Sequence, residues 1–226
     1  LVGTSARMSA GAAPDRIWLV DGSGIVFRAF HALPTLATRR GLPTGAAYGF
    51  TSMLAKLLRE EKVSHIAVVI DAPGKTFRSE AFADYKATRP GMPAELAPQL
   101  PFIKRLVTAL GLRLVEIPGV EADDVIGTLT KRAVEAGIDV SIVTSDKDMM
   151  QLVGPRVTLV DTMHDRRSGI DEVRTRFGVT PEQVIEVMAL MGDTIDNIPG
   201  VKGIGEKTAM RLISHYCSID EMYRRL

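Results

Sequence analysis

The sequence is poor in cysteine and lacks long apolar segments. The single cysteine, Cys217, excludes an internal disulfide and fits a reducing cytosol. No apolar run is long enough to cross a bilayer, so no membrane partner is expected. Residues 1–15 are rich in Ala, Gly and Ser and lack the charged head and apolar core of a secretion signal, so we expect a disordered leader. These absences leave a globular protein of 226 residues whose 46% hydrophobic content supplies an ordinary core.

The sequence also has almost no excess of either charge, because it contains 28 Lys and Arg residues and 27 Asp and Glu residues. The balance hides an uneven distribution, since nine of the acids fall at the ends of predicted strands and helices. Without those nine, 18 acids remain against the 28 basic residues. We therefore expect a basic surface around an acidic pocket, which suits a polyanionic substrate.

Apolar runs of strand length alternate with helical patterns through most of the chain. The predicted strands are 16–21, 65–71, 112–116 and 138–146. The helices between them are 48–62, the second half of 93–110, and about 121–136. A short hairpin follows at 157–170, with its turn at 165–169. This order predicts an α/β fold with a mainly parallel central sheet and helices on both faces.

The pattern becomes helical throughout beyond residue 175, and we predict a domain boundary there. Thr180 and Pro181 form a strong helix start, and the apolar helix that follows stops at Gly192. The predicted domains are an α/β domain at 16–175, which contains a lid-like segment at about 72–92, and a small helical domain at 176–226.

Carboxylates follow several predicted strands at the point where each strand ends. The carboxyl ends of parallel strands meet at one edge of a sheet, where open α/β sheets bind ligands. More acids stand at the start of the third predicted helix and after the helix that stops at Gly192. The nine candidate ligands are Asp21, Asp71, Glu121, Asp123, Asp124, Asp146, Asp148, Asp193 and Asp196.

The segment from Glu121 to Asp124 holds three of these acids within four residues. Capping a helix and complementing its dipole would account for one or two of them, and metal binding is the alternative. All-oxygen ligands select Mg²⁺ or Mn²⁺ over zinc, and nine acids exceed the needs of one ion. We expect two ions about 4 Å apart, able to activate water and to stabilise the leaving oxygen of a phosphodiester.

Two other uses of clustered acids fit this sequence less well. A structural calcium site usually takes its ligands from one local loop, whereas these acids are spread from Asp21 to Asp196. Glycoside cleavage needs only two acids and an aromatic-rich groove, and aromatic residues make up only 5% of the chain.

The glycine-rich stretch 198–209 is a second candidate site. Its three glycines permit a tight hairpin with unobstructed backbone amides, and a helix is predicted to start at about Glu206. Such a helix start binds anions, and it would grip a phosphate backbone without reading sequence. No strand precedes the glycines, which argues against a dinucleotide-binding loop, although they could simply join two helices. The candidate contacts are Gly200, Lys202, Gly203, Gly205, Lys207 and Arg211.

The lid-like segment at 72–92 carries basic residues with aromatic residues between them. Such a segment can hold phosphates and stack bases, and the alternative is a solvated loop anchored by its aromatic residues. The residues concerned are Lys75, Arg78, Lys86 and Arg89, with Phe77, Phe82 and Tyr85.

Six ordered motifs, which run from about Ile17 to the end of the chain, resemble the 5′ nuclease, or flap endonuclease, family. They are Val-Asp-Gly at 20–22, Phe-Arg-Ala-Phe-His-Ala at 27–32, Tyr-Lys-Ala-Thr-Arg at 85–89, Glu-Ala-Asp-Asp-Val-Ile-Gly at 121–127, Thr-Ser-Asp-Lys-Asp at 144–148, and Met-Gly-Asp at 191–193 with the hairpin sequence at 196–209. In particular they resemble the amino-terminal 5′-3′ exonuclease domain of bacterial DNA polymerase I. The resemblance implies a PIN-like α/β fold followed by a helix-hairpin-helix domain.

The resemblance further implies a structure-specific 5′-3′ exonuclease and 5′-flap endonuclease. Such an enzyme hydrolyses DNA phosphodiesters during replication and repair with two Mg²⁺, for which Mn²⁺ is able to substitute. By this likeness, Asp21 and Asp196 would act through bound waters, and Asp124 stays in the ligand set. The remaining ligands divide into Asp71, Glu121 and Asp123 toward one ion, and Asp146, Asp148 and Asp193 toward the other, with Asp123 near both.

The same likeness gives the lid-like segment the role of an arch through which the 5′ single strand passes. Tyr85 would stack a base there, Arg28 would contact DNA, and the carbonyls of Val201 and Ile204 would bind K⁺. The catalytic residues implied are Lys86, Arg78, Arg89 and Asp21.

The expected partner is DNA with a 5′ flap or a 5′ end at a duplex junction, bound by a monomer in the bacterial cytoplasm at the nucleoid. A DNA polymerase domain could follow in the natural chain. Thr194 and Ile195 replace small polar residues of the family, and the chain stops at Leu226, so we expect a truncated helical domain with a weaker grip on duplex. Two alternatives remain, namely a non-catalytic DNA-binding module with the same fold and a PIN-like ribonuclease.

Overall fold

The computed structural model describes residues 16–225, and the leader predicted at 1–15 lies outside the described residues. The strands are β1 (Arg16–Asp21), β2 (Ile66–Val69), β3 (Arg113–Val115), β4 (Asp139–Val143), β5 (Val157–Asp161) and β6 (Arg166–Ser168). The helices are α1 (Gly22–Ala32), α2 (Gly45–Glu60), α3 (Phe77–Ala81), α4 (Leu100–Ala109), α5 (Ala122–Glu135), α6 (Ile170–Phe177), α7 (Val184–Met191), α8 (Glu206–Tyr216) and α9 (Ile219–Arg224). None of these helices is long and apolar enough to span a membrane.

The strands form one sheet in the order β3-β2-β1-β4-β5-β6. Every pairing is parallel except that between β5 and β6, which is antiparallel. Because β1 pairs in parallel with both β2 and β4, the carboxyl ends of these three strands lie on the same edge. The strand order reverses beside β1, which is where open α/β sheets have a ligand-binding crevice. This arrangement confirms the predicted mainly parallel sheet and brings the strand-end acids to one side.

Two apolar cores cover the two faces of the sheet, as alternating side chains of β1 illustrate. Trp18 and Val20 pack with residues of α1, α2 and α4. Leu19 lies on the other face, in a core shared with α5, α6, α7 and α8. Both faces of β1 are buried, which explains why the strand is a continuous apolar run rather than an alternating one.

Two features differ from the sequence-based expectation. Helix α1 has no counterpart among the predicted helices, and its glycines at positions 22 and 24 lower the helix propensity of its first turn. The hairpin between β5 and β6 turns at 162–165 rather than at 165–169. Helix α6 spans residue 175, and Phe177 at its end is fully buried in the core shared with the sheet. The helical domain therefore packs directly against the α/β domain. The domain boundary at 175 stays a prediction.

Candidate metal centre and nucleic-acid interface

Asp21 lies at the end of β1 and caps helix α1. One carboxylate oxygen accepts a hydrogen bond from the Gly24 amide at 2.8 Å, and the other accepts one from the Thr144 hydroxyl at 2.9 Å. A Cβ at position 24 would lie 2.2 Å from the carboxylate, so the cap requires glycine there. Burial raises the pKa of Asp21 despite both hydrogen bonds, and the carboxylates of Asp146 and Asp71 add to the rise.

Asp71 joins the end of β2 to the start of α5. Its Oδ1 accepts a hydrogen bond from the Ala122 amide at 2.7 Å, which satisfies a free donor at the helix start. The Asp71 amide donates to the Ser23 hydroxyl at 2.9 Å, so the same residue is tied to α1. These two bonds fix the amino terminus of α5, with Glu121 and Asp123, beside the end of β1.

Asp146 and Asp148 follow β4 in a short 3₁₀ turn. The Asp146 amide donates to the Thr144 hydroxyl at 3.0 Å, and Asp146 Oδ1 accepts from the Asp148 amide at 2.9 Å. Asp148 Oδ1 is buried and has no hydrogen-bond partner in the part of the chain that the structure describes. Burial and the carboxylate of Asp146 raise the pKa of Asp148 to about 6. A buried carboxylate oxygen without a partner is costly, and a cation would satisfy it.

Asp193 and Asp196 sit on a tight loop between α7 and the glycine-rich hairpin. Asp193 exchanges two backbone hydrogen bonds with Ile198, at 2.9 and 2.7 Å, and these close the loop. A Cβ on Gly200 would lie 2.4 Å from the Met191 backbone, so the two ends of the loop meet without room for a side chain. The sequence predicted Gly200 as a DNA contact, and the structure gives it a packing role.

Asp123 lies in the middle of the acids, on the first turn of α5. Loss of solvation raises the pKa of Asp123 to about 7, and the carboxylates of Asp21, Asp146 and Asp71 contribute. A cleft of about 460 Å³ opens beside Asp123 and Asp148. A divalent cation would relieve the repulsion between Asp123 and these neighbouring carboxylates.

The donor set of this cluster fits a hard divalent cation, because every candidate ligand is a carboxylate. Among residues 16–225, no group of three or more His, Cys, Asp or Glu side chains is arranged to hold an ion. Two observations nevertheless match the chemistry of such an ion, namely the unsatisfied oxygen of Asp148 and the raised pKa of Asp123. Cationic side chains from the arch occupy part of the cluster instead.

Lys86 and Tyr85 of the arch reach Glu121. The Lys86 ammonium lies 2.9 Å from both Glu121 carboxylate oxygens, and the Tyr85 hydroxyl donates to Glu121 at 2.9 Å and to Asp196 at 3.2 Å. Burial raises the pKa of Tyr85, and the hydrogen bond to Glu121 adds to the rise. Tyr85, expected to stack a base, thus uses its hydroxyl to bridge two acids. The stacking of a base on the Tyr85 ring stays a prediction.

The turn that holds Lys86 is docked on the loop of Asp196. The Lys86 amide donates to the Asp196 carbonyl at 2.8 Å, and the Asn197 side chain donates to the Asp84 carbonyl at 2.8 Å. Arg89 forms an ion pair with the Asp196 carboxylate. The backbone at Lys86 has φ = 56°, a left-handed conformation that is uncommon for lysine. These contacts hold residues 84–89, part of the lid-like segment predicted to be the arch, against the acid cluster.

Arg78 and Asp124, predicted as a catalytic residue and a metal ligand, bind each other, and those two roles stay predictions. The guanidinium donates to both Asp124 oxygens, at 2.5 and 2.7 Å, and one of these oxygens also accepts from the Glu121 amide at 3.0 Å. Burial alone would raise the pKa of Asp124, but these hydrogen bonds hold it below its usual range. Both oxygens of Asp124 are therefore engaged by Arg78, whose guanidinium also lies 3.9 Å from the Glu121 carboxylate.

Arg28, predicted to contact DNA, is paired with a carboxylate at the end of β5. Its guanidinium lies 3.2 and 3.3 Å from the two oxygens of Asp161, which also accepts a hydrogen bond from His164. A DNA phosphate at this position would have to compete with Asp161. The predicted contact stays a prediction.

The glycine-rich hairpin forms the predicted turn before α8. Gly203 has φ = 85°, and Gly205 stands at the N-cap of α8 with open space around it. Val201 is half exposed, and its carbonyl accepts the Ile204 amide at 2.9 Å, which closes the turn. Within residues 16–225 no carboxylate pairs with the three exposed basic residues of this region, Lys202, Lys207 and Arg211. The potassium site at Val201 and Ile204 stays a prediction.

Sequence reasoning missed two hydroxyl groups that organise the acids. Thr144 joins Asp21 to Asp146, and Ser23 joins α1 to Asp71. Thr144 stands two residues before Asp146, a spacing at which a hydroxyl often binds the later backbone amide. That spacing was a local signal, whereas the bond from Thr144 to Asp21 depends on the pairing of β1 with β4.

Comparison with known families matches the chain in two consecutive parts. Residues 16–185 match the family described as 5′-3′ exonuclease, N-terminal resolvase-like domain. Residues 179–226 match the family described as 5′-3′ exonuclease, C-terminal SAM fold. The two matches divide close to the start of the helical region.

Curated relatives and a solved structure agree with these families. DNA polymerase I of Pseudomonas aeruginosa is 54% identical over 196 residues, which cover 87% of this chain but 22% of that protein. The 5′-3′ exonuclease of Aquifex aeolicus is 41% identical over 208 residues, which cover 92% of this chain and 72% of that protein. A structure of T5 5′-exonuclease with bound divalent zinc ions is 25% identical, with a TM-score of 0.76 over 93% of this chain and 79% of that chain.

Proposed function

Because the chain belongs to the 5′-3′ exonuclease family over both of its parts, we propose that it hydrolyses DNA phosphodiesters at 5′ ends and 5′-flap junctions with the help of divalent cations. The observation that carries the proposal is the carboxylate cluster at the carboxyl edge of the sheet. There Asp123 has a pKa raised to about 7, and Asp148 has a buried oxygen without a partner. The similarity to the 5′-3′ exonuclease of Aquifex aeolicus, of which this chain covers 72%, supports the proposal of the same activity.

The division of the acids between two cations is the one that the family resemblance implies, and their places in the fold are compatible with it. Those at the end of β2 and the start of α5 suit one ion, and those after β4 and α7 suit the other. Bound Mg²⁺ would lower the pKa of an attacking water and offset charge on the leaving oxygen. The ligands toward one ion are Asp71, Glu121 and Asp123, and toward the other Asp146, Asp148 and Asp193, with Asp21 and Asp196 acting through waters.

Arch residues supply positive charge that the acids attract in the absence of substrate. Lys86 lies 2.9 Å from Glu121, and Arg89 is paired with Asp196, so both cations stand at the mouth of the cluster. A phosphate that enters this mouth can take over both cations, because a phosphate oxygen is as good an acceptor as a carboxylate. In that position Lys86 and Arg89 would stabilise the charge that develops on the phosphate during hydrolysis.

The hairpin before α8 would grip the duplex next to the cleavage site. Its exposed backbone near Gly203 and Gly205 suits contacts with phosphates rather than bases, as do Lys202 and Lys207, which are unpaired within residues 16–225. The hairpin follows the Asp193–Asp196 loop directly in sequence, so a bound duplex would lie at a fixed offset from the acids. This arrangement would favour junctions over uniform duplex.

The wider biological role is also a proposal. The chain spans 22% of the length of the DNA polymerase I sequences of Rhizobium leguminosarum and Pseudomonas aeruginosa. We propose that it acts in flap or primer removal in the bacterial cytoplasm, as the nuclease part of such a polymerase. DNA with a 5′ single-stranded flap would be its partner.

The direct test is cleavage of a 5′-labelled flap duplex with and without Mg²⁺. Release of the flap only in the presence of Mg²⁺ is the expected result. Binding of the duplex without cleavage in Mg²⁺ or Mn²⁺ would instead indicate a non-catalytic DNA-binding module. Preferred cleavage of single-stranded RNA would point to a PIN-like ribonuclease.

A further inference from the structure

Helix α3, which begins the arch, contains no buried residue. Apolar packing therefore contributes little to its position, and polar contacts must fix it. Two such contacts reach the segment before and within α5. The Phe77 amide donates to the Gly119 carbonyl at 3.0 Å, and the Arg78 guanidinium grips Asp124 at 2.5 and 2.7 Å.

Asp124 connects this grip to the backbone of a proposed metal ligand. The oxygen that lies 2.5 Å from Arg78 also accepts the Glu121 amide at 3.0 Å. The two side chains are 34% and 23% exposed, so water competes with the pair only in part. A fork-to-fork pair of this kind fixes orientation as well as distance.

Only four residues, 82–85, separate α3 from Lys86. The Lys86 turn is also docked on the Asp196 loop, so α3 supplies the second of two attachments described for this segment. Release of α3 from α5 would therefore loosen the hold on the Lys86 ammonium at Glu121. We propose that Asp124 is a positioning residue, which anchors the arch through Arg78 and so holds Lys86 at the acid cluster, rather than a metal ligand. The inference rests on the proposed function for its effect on cleavage, but not for its effect on the arch.

A double-mutant cycle tests the pair through activity. We expect Arg78→Ala and Asp124→Ala each to lower the single-turnover rate about tenfold, and the double variant to lose no more than either alone. Arg78→Lys keeps the charge but cannot form the fork, so it should lose about as much as Arg78→Ala. Additive losses in the double variant, or a full rate with Arg78→Lys, would overturn the proposal.

Two measurements without cleavage separate an anchor from a ligand. In Asp124→Asn, amide hydrogen exchange should quicken over 77–89 while β4 keeps its protection, which shows that the fold is intact. Mn²⁺ titration of the same variant should give the wild-type stoichiometry and affinity, whereas Asp123→Asn should bind Mn²⁺ more weakly. Loss of an ion from Asp124→Asn, or unchanged exchange of the arch, would refute the anchor.

Asp139→Asn is the matched control, because it removes paired carboxylate contacts, to Arg16 and Arg156, at the opposite edge of the sheet. It should leave the exchange of 77–89 unchanged, and faster exchange there would count against the anchor. If wild-type protein fails to cut the flap in Mg²⁺, the proposed function fails. The exchange and Mn²⁺ results still decide the role of Asp124 in that case.

Discussion

The Lys86 ammonium lies 2.9 Å from each carboxylate oxygen of Glu121, 35 residues away along the chain. Lysine is held there by its own backbone, whose amide donates to the Asp196 carbonyl at 2.8 Å. The Lys86 side chain thus supplies a positive charge within the acid cluster. A divalent ion held by Glu121 would compete with this ammonium, and the displaced Lys86 side chain would be free to contact a phosphate.

Lys86→Ala should slow single-turnover flap cleavage by about 10²–10³-fold, the cost of removing one charge-stabilising donor from a transition state. Mn²⁺ should bind the variant at least as tightly as the wild type, since a competing cation has been removed. Rapid-quench cleavage and Mn²⁺ titration measure the two effects. Lys62→Ala, an exposed lysine that precedes β2 at the other edge of the sheet, is the control and should change neither. An unchanged cleavage rate in Lys86→Ala would remove Lys86 from the mechanism.

The stability of the metal-free protein should depend on pH through Asp123 and Asp148, whose pKa values are raised to about 7 and about 6. A raised pKa in the folded state means that folding favours the protonated acid. This contribution is fully present below the unfolded pKa of about 4 and is lost as the pH rises toward 7. Urea unfolding between pH 4 and pH 8 should therefore show wild type losing stability relative to Asp123→Asn.

Asp165→Asn serves as the control for this titration, because the Asp165 side chain is 89% exposed and asparagine tolerates its left-handed backbone. Its stability difference from wild type should stay flat over the same range. Added Mg²⁺ should stabilise wild type more at pH 8 than at pH 5, since the ligands must be deprotonated to bind. A flat difference between wild type and Asp123→Asn would mean that the acids are not crowded in solution.

Local sequence patterns were sufficient to locate most acids of the site. Asp21, Asp71 and Asp146 end apolar runs, and the parallel pairing of β1 with β2 and β4 then brings them to one edge. Helix propensity does not predict α1, because Gly24 lowers it. Glycine is nevertheless needed at position 24, since a Cβ there would lie 2.2 Å from the Asp21 carboxylate.

Contacts between distant segments were beyond prediction from the sequence. Arg78 and Asp124 are 46 residues apart, and nothing in the spacing of either motif indicates that they meet. The role predicted for each residue reflects its neighbours in the sequence, which are basic residues for Arg78 and acids for Asp124. Helix α3 itself spans five residues, too few for a helical period to emerge.

Gly200→Ala should destabilise the protein, because the added Cβ would meet the Met191 backbone at 2.4 Å and the Gly192 amide at 2.6 Å. Backbone atoms cannot yield as a flexible side chain does, and we expect a loss of about 1–3 kcal/mol in the free energy of unfolding. Gly205→Ala adds the same methyl group to open space in the same hairpin and should keep nearly wild-type stability. Equal stabilities of the two variants would contradict the packing role of Gly200.

Lys202 and Lys207 should carry duplex affinity rather than chemistry, because both are exposed, unpaired within residues 16–225, and placed on the hairpin next to α8. Each phosphate contact that is lost should reduce the slope of log affinity against log salt by about 0.9. The double change Lys202→Ala with Lys207→Ala should therefore raise KM at moderate salt while kcat at saturating flap substrate stays close to wild type. Fluorescence anisotropy with a flap duplex over a salt series measures the slope, with Lys62→Ala as the matched loss of an exposed lysine. A fall in kcat without a change in slope would place these lysines in catalysis and would leave the hairpin without its proposed hold on the duplex.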